Sequence, residues 1–195
     1  MARYGKEHKE ATRRRIVEKA GRRLKTSGID GSGVATLMAD AGLTNGAFYA
    51  HFASKDDLVA TAVADQLQVQ RERFSAAPPG LEGVRQLVRE YLSVTHRDSP
   101  QDGCPSAALL AEIGRSSQET KRAYTEGLLA IVDEIAGRLA PHNARSARGE
   151  TLGLFAMLIG TMQLSRALSD QQLADEVLQE GIKNALTLID PDTAA

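Results

Sequence analysis

The chain has 195 residues, 42% of them hydrophobic, with four Phe, four Tyr and no Trp, which is enough to bury the core of one larger domain or of two small ones. Abundant Ala, Leu, Glu and Arg without Val/Ile/Thr alternation favours an all-α protein. The net charge of −1 hides an asymmetry: residues 1–60 hold 11 Lys/Arg against 7 Asp/Glu, the remainder 13 against 18, so a polyanion-binding end on an acidic body competes with a merely solvated first helix.

In chain order, no apolar run resembling a signal peptide opens the sequence. The first helix is expected over Glu7–Thr26, with Ile16, Val17, Ala20 and Leu24 as its apolar stripe, Arg13, Arg14, Arg15, Arg22 and Arg23 around it, and Gly28 ending it in a left-handed cap. Arg3 and Lys6 would lie ahead of it as a basic arm. A short helix over Val34–Ala41 closes at Gly42, and a second over Thr44–His51 follows. Two short helices joined by a Gly-containing turn outline a helix-turn-helix, which sets a helix in the DNA major groove. A fourth helix begins at Ser54 in a capping box with Asp57 and continues to about Phe74. Ala76-Ala77-Pro78-Pro79-Gly80 breaks the pattern.

Further helices are expected over Leu81–His96, Pro105–Gly114, Gln118–Ala140, Ala147–Leu168 and Asp170–Ile189, with residues 97–103 as a loop, a Ser169/Gln172 capping box and a frayed tail from Pro191. The uncharged stretch Thr151–Ser165 is too short for the ~20 residues that span a bilayer, so no membrane association is expected. Cys104 is the single cysteine; it excludes an intrachain disulfide and fits a cytoplasmic protein. Standing at a helix mouth it is either a thiol of raised nucleophilicity that senses electrophiles or oxidants, or a small core residue. No phosphate-binding glycine loop, nucleophile elbow, metal-spaced His/Cys/Asp set or paired catalytic carboxylates occurs, so no enzyme, metal or cofactor is expected.

Ala41-Gly42-Leu43-Thr44, Gly46, Phe48-Tyr49, His51-Phe52 and Ser54-Lys55-Asp56-Asp57-Leu58 together resemble the DNA-binding domain of the TetR family of bacterial transcriptional regulators. The resemblance covers about the first seventy residues and is architectural beyond them. It implies a domain at 1–56, with its motif at about 33–52, joined to a helical effector-binding and dimerisation domain at 57–195. The implied protein is a homodimeric repressor of a palindromic operator, released by a small molecule. A ligand-independent or activating DNA-binding factor, or a helical small-molecule binder without DNA function, is the alternative.

Within the motif, Thr44 caps the recognition helix or also meets a phosphate, and Asn45 reads an adenine edge or a phosphate. Gly46 permits close approach to DNA or serves packing. Tyr49 offers its hydroxyl to phosphate, while Phe48 and Phe52 face the core. The resemblance makes His51 a phosphate donor, with a core or surface role as the alternative. Lys55 suits a phosphate at a helix start, and Ser32 is the hydroxyl left at the entry to the second helix. Asn45 and Ala50 depart from the family's usual lysine and large side chain. In the body, Cys104, Tyr91, His96 and Phe155 are the effector or sensor candidates. Leu152, Phe155, Ile159, Met162, Val177, Ile182 and Leu186 are the candidates for a four-helix dimer interface, against an internal core alone.

Overall fold

The computed structural model describes residues 2–190, with side chains from residue 7 onward. Among these, every regular element is a helix: α1 (Ala2–Ser27), α2 (Val34–Asp40), a 3₁₀ segment (Asn45–Ala50), α3 (Lys55–Ala76), α4 (Gly80–Tyr91), α5 (Val94–Asp98), a 3₁₀ turn (Pro100–Asp102), α6 (Pro105–Ile113), α7 (Gln118–Leu139), α8 (Ala144–Ala167) and α9 (Gln171–Ile189). The backbone is already helical at Arg3 and Lys6, so the expected arm is the start of α1; the side chains of both lie outside the described set. The expected frayed tail lies outside the described residues too. No helix among them is long and apolar enough to cross a membrane.

Boundaries move where caps were misassigned. The single helix expected over 81–96 breaks at Leu92, because the Ser93 hydroxyl accepts from the His96 amide and restarts the chain as α5. Residues 97–103 are correspondingly structured, as the end of α5 and the 3₁₀ turn. Asp170, rather than a Ser169/Gln172 box, caps α9 by accepting from the Leu173 amide. The Ser54–Asp57 box forms as expected: Ser54 Oγ accepts from the Asp57 amide at 3.1 Å and Asp57 Oδ2 accepts from the Ala53 amide at 2.9 Å.

One apolar core runs through the molecule. Ile16, Leu24, Leu37, Met38, Phe48 and Leu58 fill its N-terminal end; Val84, Leu87, Ile131, Ile135, Leu154 and Leu158 fill the rest. Helix α3 belongs to both ends. Its first turns pack on α1, and its later turns cross α7 so closely that a side chain at Gly127 would meet Leu67.

Polar bolts join the N-terminal helices to the body. Glu112 of α6 accepts from the amides of Ile29 (2.6 Å) and Asp30 (3.3 Å) in the turn after α1. Lys25 donates to the Gly103 carbonyl at 2.8 Å, and Arg22 pairs with Asp102. Arg73 of α3 donates to the Asp102 carbonyl at 2.7 Å. The 99–103 turn is therefore held from α1 and from α3 at once. Farther along, Arg97 binds Asp98 and Asp175, tying α5 to α9.

Candidate nucleic-acid interface and the cavity behind it

The outward edge of the helix-turn-helix follows from where Phe48 goes. Its ring is buried, stacked on Phe52 at 5.8 Å between centroids, and fixes the segment to the core. With three residues per turn in a 3₁₀ helix, Tyr49 lies over Gly46 rather than over Asn45. Tyr49 is 80% exposed, its ring meeting Phe48 edge-on at 5.2 Å. Thr44, Asn45, Gly46 and Ala50 are exposed beside it. The α-helix expected here is a tighter 3₁₀ turn, and Thr44 makes no side-chain cap bond, so its hydroxyl is left to solvent. Gly42, at φ +69°, makes the reversal between α2 and this segment in a conformation that side chains rarely adopt. Gly46 has no such reason: a β-carbon there would meet nothing within 4 Å.

Two expected contacts are placed differently, and a third, His51, keeps one outward nitrogen. Ser32 is fully buried and its hydroxyl donates to the Gly28 carbonyl at 2.7 Å, so it stabilises the α1–α2 turn and cannot face a phosphate. Lys55 turns inward and donates to the Ile29 carbonyl at 2.6 Å. With Asp56 and Asp57 in its first turn, the start of α3 has its dipole already matched by carboxylates and is a poor anion site. His51 is half-buried with Nδ1 turned into the protein and unpartnered, leaving Nε2 as its outward nitrogen. Burial, then the nearby Lys9 and Arg13, hold its pKa below the usual imidazole range. Sequence reasoning missed Arg13, whose guanidinium lies 4.1 Å over the Phe52 ring and donates to the His51 carbonyl at 2.5 Å. Its place one turn before Ile16 and Val17 was the available signal.

The four effector candidates come together. Tyr91 meets His96 edge-on at 4.7 Å and Phe155 at 6.2 Å. His96 Nε2 accepts from the Cys104 amide at 3.0 Å, so Nδ1 carries the proton and donates to the Tyr91 carbonyl at 2.6 Å. A side chain at Gly103 would collide with that imidazole. Burial lowers the His96 pKa to about 4 and pushes the Tyr91 phenol well above its ordinary value, with the Cys104 thiol adding to the rise. Tyr91 Oη has no hydrogen-bond partner of acceptable geometry. Cys104 is 1% exposed, and this closure supports the core role over the sensor role. Among the described residues no group of three metal-binding side chains occurs.

Beside this cluster lies a cavity of about 250 Å³ between α3, α4 and the 99–103 turn, lined by Gln70, Phe74, Leu87, Tyr91, His96 and Gly103 among others. Gln70 is 7% exposed, yet its amide has no hydrogen bond to another described residue.

The interface expectations divide along α8 and α9. Phe155, Ile159 and Met162 are buried in the protomer's own core; Val177, Ile182 and Leu186 are half-buried. The period of 3.6 identified a stripe whose members Phe155, Ile159 and Met162 face inward. Leu152, one of the expected residues, is 41% exposed, and Leu164, Leu173 and Leu188 are the other exposed leucines of α8 and α9, with Gly153, Ala156 and Gly160 also exposed on α8.

Residues 16–62 match the family model described as bacterial regulatory proteins, tetR family. No curated protein matches the chain. Solved structures match over nearly their whole length. The reduced form of NemR from E. coli has a TM-score of 0.74 at 17% identity, over 90% of this chain and 95% of that one. A TetR-family regulator from Agrobacterium tumefaciens gives 0.73 at 19%, over 90% and 98%. One from Chloroflexus aurantiacus gives 0.68 at 23%, over 94% and 96%. At such identities the likeness is one of fold.

Proposed function

We propose that this chain, which carries a TetR-family DNA-binding head at residues 16–62 and the fold of TetR-family regulators, is a homodimeric repressor that leaves a palindromic operator when a small molecule binds its body. The observation that carries the reading is the exposed edge Thr44–Ala50. It presents an outward tyrosine, a free threonine hydroxyl, an asparagine amide and a glycine that no contact within the chain requires. We divide the chain at 56/57, the first turn of α3, so that the continuous α3 couples head and body.

In this reading Thr44, Tyr49 and His51 Nε2 bind phosphates, which set register, and Asn45 reads a base edge. Arg13 supports them by fixing His51 and Phe52. Two heads are needed to read two half-sites, and the outward leucines of α8 and α9 supply a self-complementary face for a two-fold mate. Leu152, Leu164, Leu173 and Leu188 form its centre, and the small residues between them let the helices approach.

Fluorescence anisotropy with DNA from upstream of the protein's own gene tests the proposal. The expected result is salt-sensitive, sequence-preferring binding by a dimer. Binding that ignores sequence, or no binding, overturns it.

A further inference from the structure

We propose that the cavity behind α3 binds a single-ring, uncharged aromatic molecule through the Gln70 amide, and that the occupant acts on the DNA head through the 99–103 turn. The second half rests on the DNA-binding reading above; the first does not.

The chemistry of the walls sets the ligand class. Phe74, Leu87 and the Tyr91 ring give apolar faces on which an aromatic ring can pack. Gln70, largely buried and unpartnered, offers an NH2 group and a carbonyl oxygen to whatever enters. Thr95 and Ser99 also bring hydroxyls without a hydrogen bond, and the remaining polar groups are committed. Both His96 nitrogens are used, by the Tyr91 carbonyl and the Cys104 amide. Arg73 donates to the Asp102 carbonyl, Asp102 pairs with Arg22, and Glu90 accepts from Gln86. Lys25 and Arg166, the other cations near His96, are likewise engaged, by the Gly103 and His96 carbonyls. A void near 150 Å³ lined by apolar side chains takes benzene; about 250 Å³ with one amide takes a ring plus one neutral polar head.

The cavity wall is also the point where the body grips the head. Gly103 and Asp102 line the cavity, and the same two residues receive Lys25 and Arg22 of α1. A ligand that displaces the turn alters both contacts and, through α1, the seat of the recognition segment.

Benzamide is the probe, with benzoate as its charged counterpart, and ¹⁵N-resolved spectra of the full-length protein are the first readout. Millimolar benzamide should shift the Gln70 side-chain amide, the Gly103 amide and the backbone amides of residues 22–29. Benzoate should not. Gln70→Leu, which places an apolar side chain among apolar neighbours, should keep the wild-type spectrum elsewhere and lose the benzamide shifts. Gln70→Asn should bind at least threefold more weakly. Absence of shifts at Gln70 with saturating benzamide, unchanged shifts in Gln70→Leu, or equal binding of benzoate each overturns the assignment. Shifts confined to Gln70 and Gly103, without residues 22–29, overturn the route to the head. In the anisotropy assay, saturating benzamide should weaken operator binding by about fivefold or more, the scale of ordinary allosteric coupling. Cavity shifts with unchanged operator affinity refute the regulatory half. Absence of any operator binding before benzamide is added refutes the DNA reading and leaves the spectral result standing.

Discussion

Acid should destabilise this fold through His96 before its carboxylates titrate. The ring accepts from the Cys104 amide through Nε2 and donates to the Tyr91 carbonyl through Nδ1. A proton on Nε2 would set two donors against each other. The charged groups around it are cations from three elements, Arg166 of α8, Lys25 of α1 and Arg73 of α3, with the Arg166 guanidinium also donating to the His96 carbonyl at 2.6 Å. The folded pKa is about 4 against 6.5 for the free side chain. Above pH 6.5 the ring is neutral in both states and its full contribution is present. Between pH 6.5 and about 4 the unfolded chain takes the proton first, so stability falls as pH falls. At 1.36 kcal/mol per unit the loss is roughly 3 kcal/mol at most, since the ring is half-buried and solvent screens part of it. Urea denaturation followed by helical circular dichroism, at fixed protein concentration and at pH 7.5 and 4.5, should show this loss in the wild type. His96→Gln, whose amide can still accept from Cys104, should be less stable at pH 7.5 and lose about 2 kcal/mol less than the wild type on acidification. Equal losses in the two proteins, or an imidazole titrating near 6.5 by NMR, refute the argument.

Four further outcomes follow from the same geometry. Gly46→Ala should leave thermal stability unchanged, or raise it by up to about 1 kcal/mol, because its β-carbon meets nothing, while operator affinity falls at least tenfold by anisotropy; unchanged affinity would remove the reason for a glycine there. Tyr49→Phe should weaken all DNA sequences alike, whereas Asn45→Ala should cost about 1–3 kcal/mol on the operator and relax preference at one base pair in a competition assay. Leu152→Glu with Leu173→Glu should give a folded monomer by sedimentation, with dichroism retained. Lys25 is 7% exposed and its pKa is lowered to about 8, chiefly by burial. The wild type should therefore gain stability as pH rises from 7 to 10, the unfolded chain holding the proton longer, and Lys25→Met should lack that gain in the same urea assay.

Helix positions were legible because each long helix shows its own period and a cap with a chemical signature, as at Ser54 and Pro105. What the sequence concealed was competition between nearby caps. Ser93 sits inside an apolar pattern that reads as continuous, and only the structure shows its hydroxyl turned to the His96 amide, splitting the helix. Ser169 and Asp170 compete for the same duty, and the carboxylate, which accepts as a charged group, takes it. The recognition segment was found by its residues and mistaken in its winding, because a segment of six residues anchored by Phe48 and bounded by two turns is short enough to wind as 3₁₀, a form used in short pieces.

Side-chain roles depend on long-range partners, and there the sequence misled in one consistent direction. Ser32 and Lys55 have the chemistry of phosphate contacts, but Ser32 binds Gly28 within its own turn and Lys55 binds Ile29, 26 residues away. The stripe Phe155, Ile159 and Met162 was apolar enough for an interface and was used for the core. In each of these cases a partner within the chain already satisfies the group. The groups left over are consequently the informative ones. Tyr49, the Thr44 hydroxyl and the outward leucines of α8 and α9 have no competing use on the surface, and Gln70 has none inside. Reading function from what the protomer leaves unsatisfied assigns the first two to DNA, the leucines to a second copy and Gln70 to a ligand, and each assignment predicts a variant that loses one activity while keeping the fold.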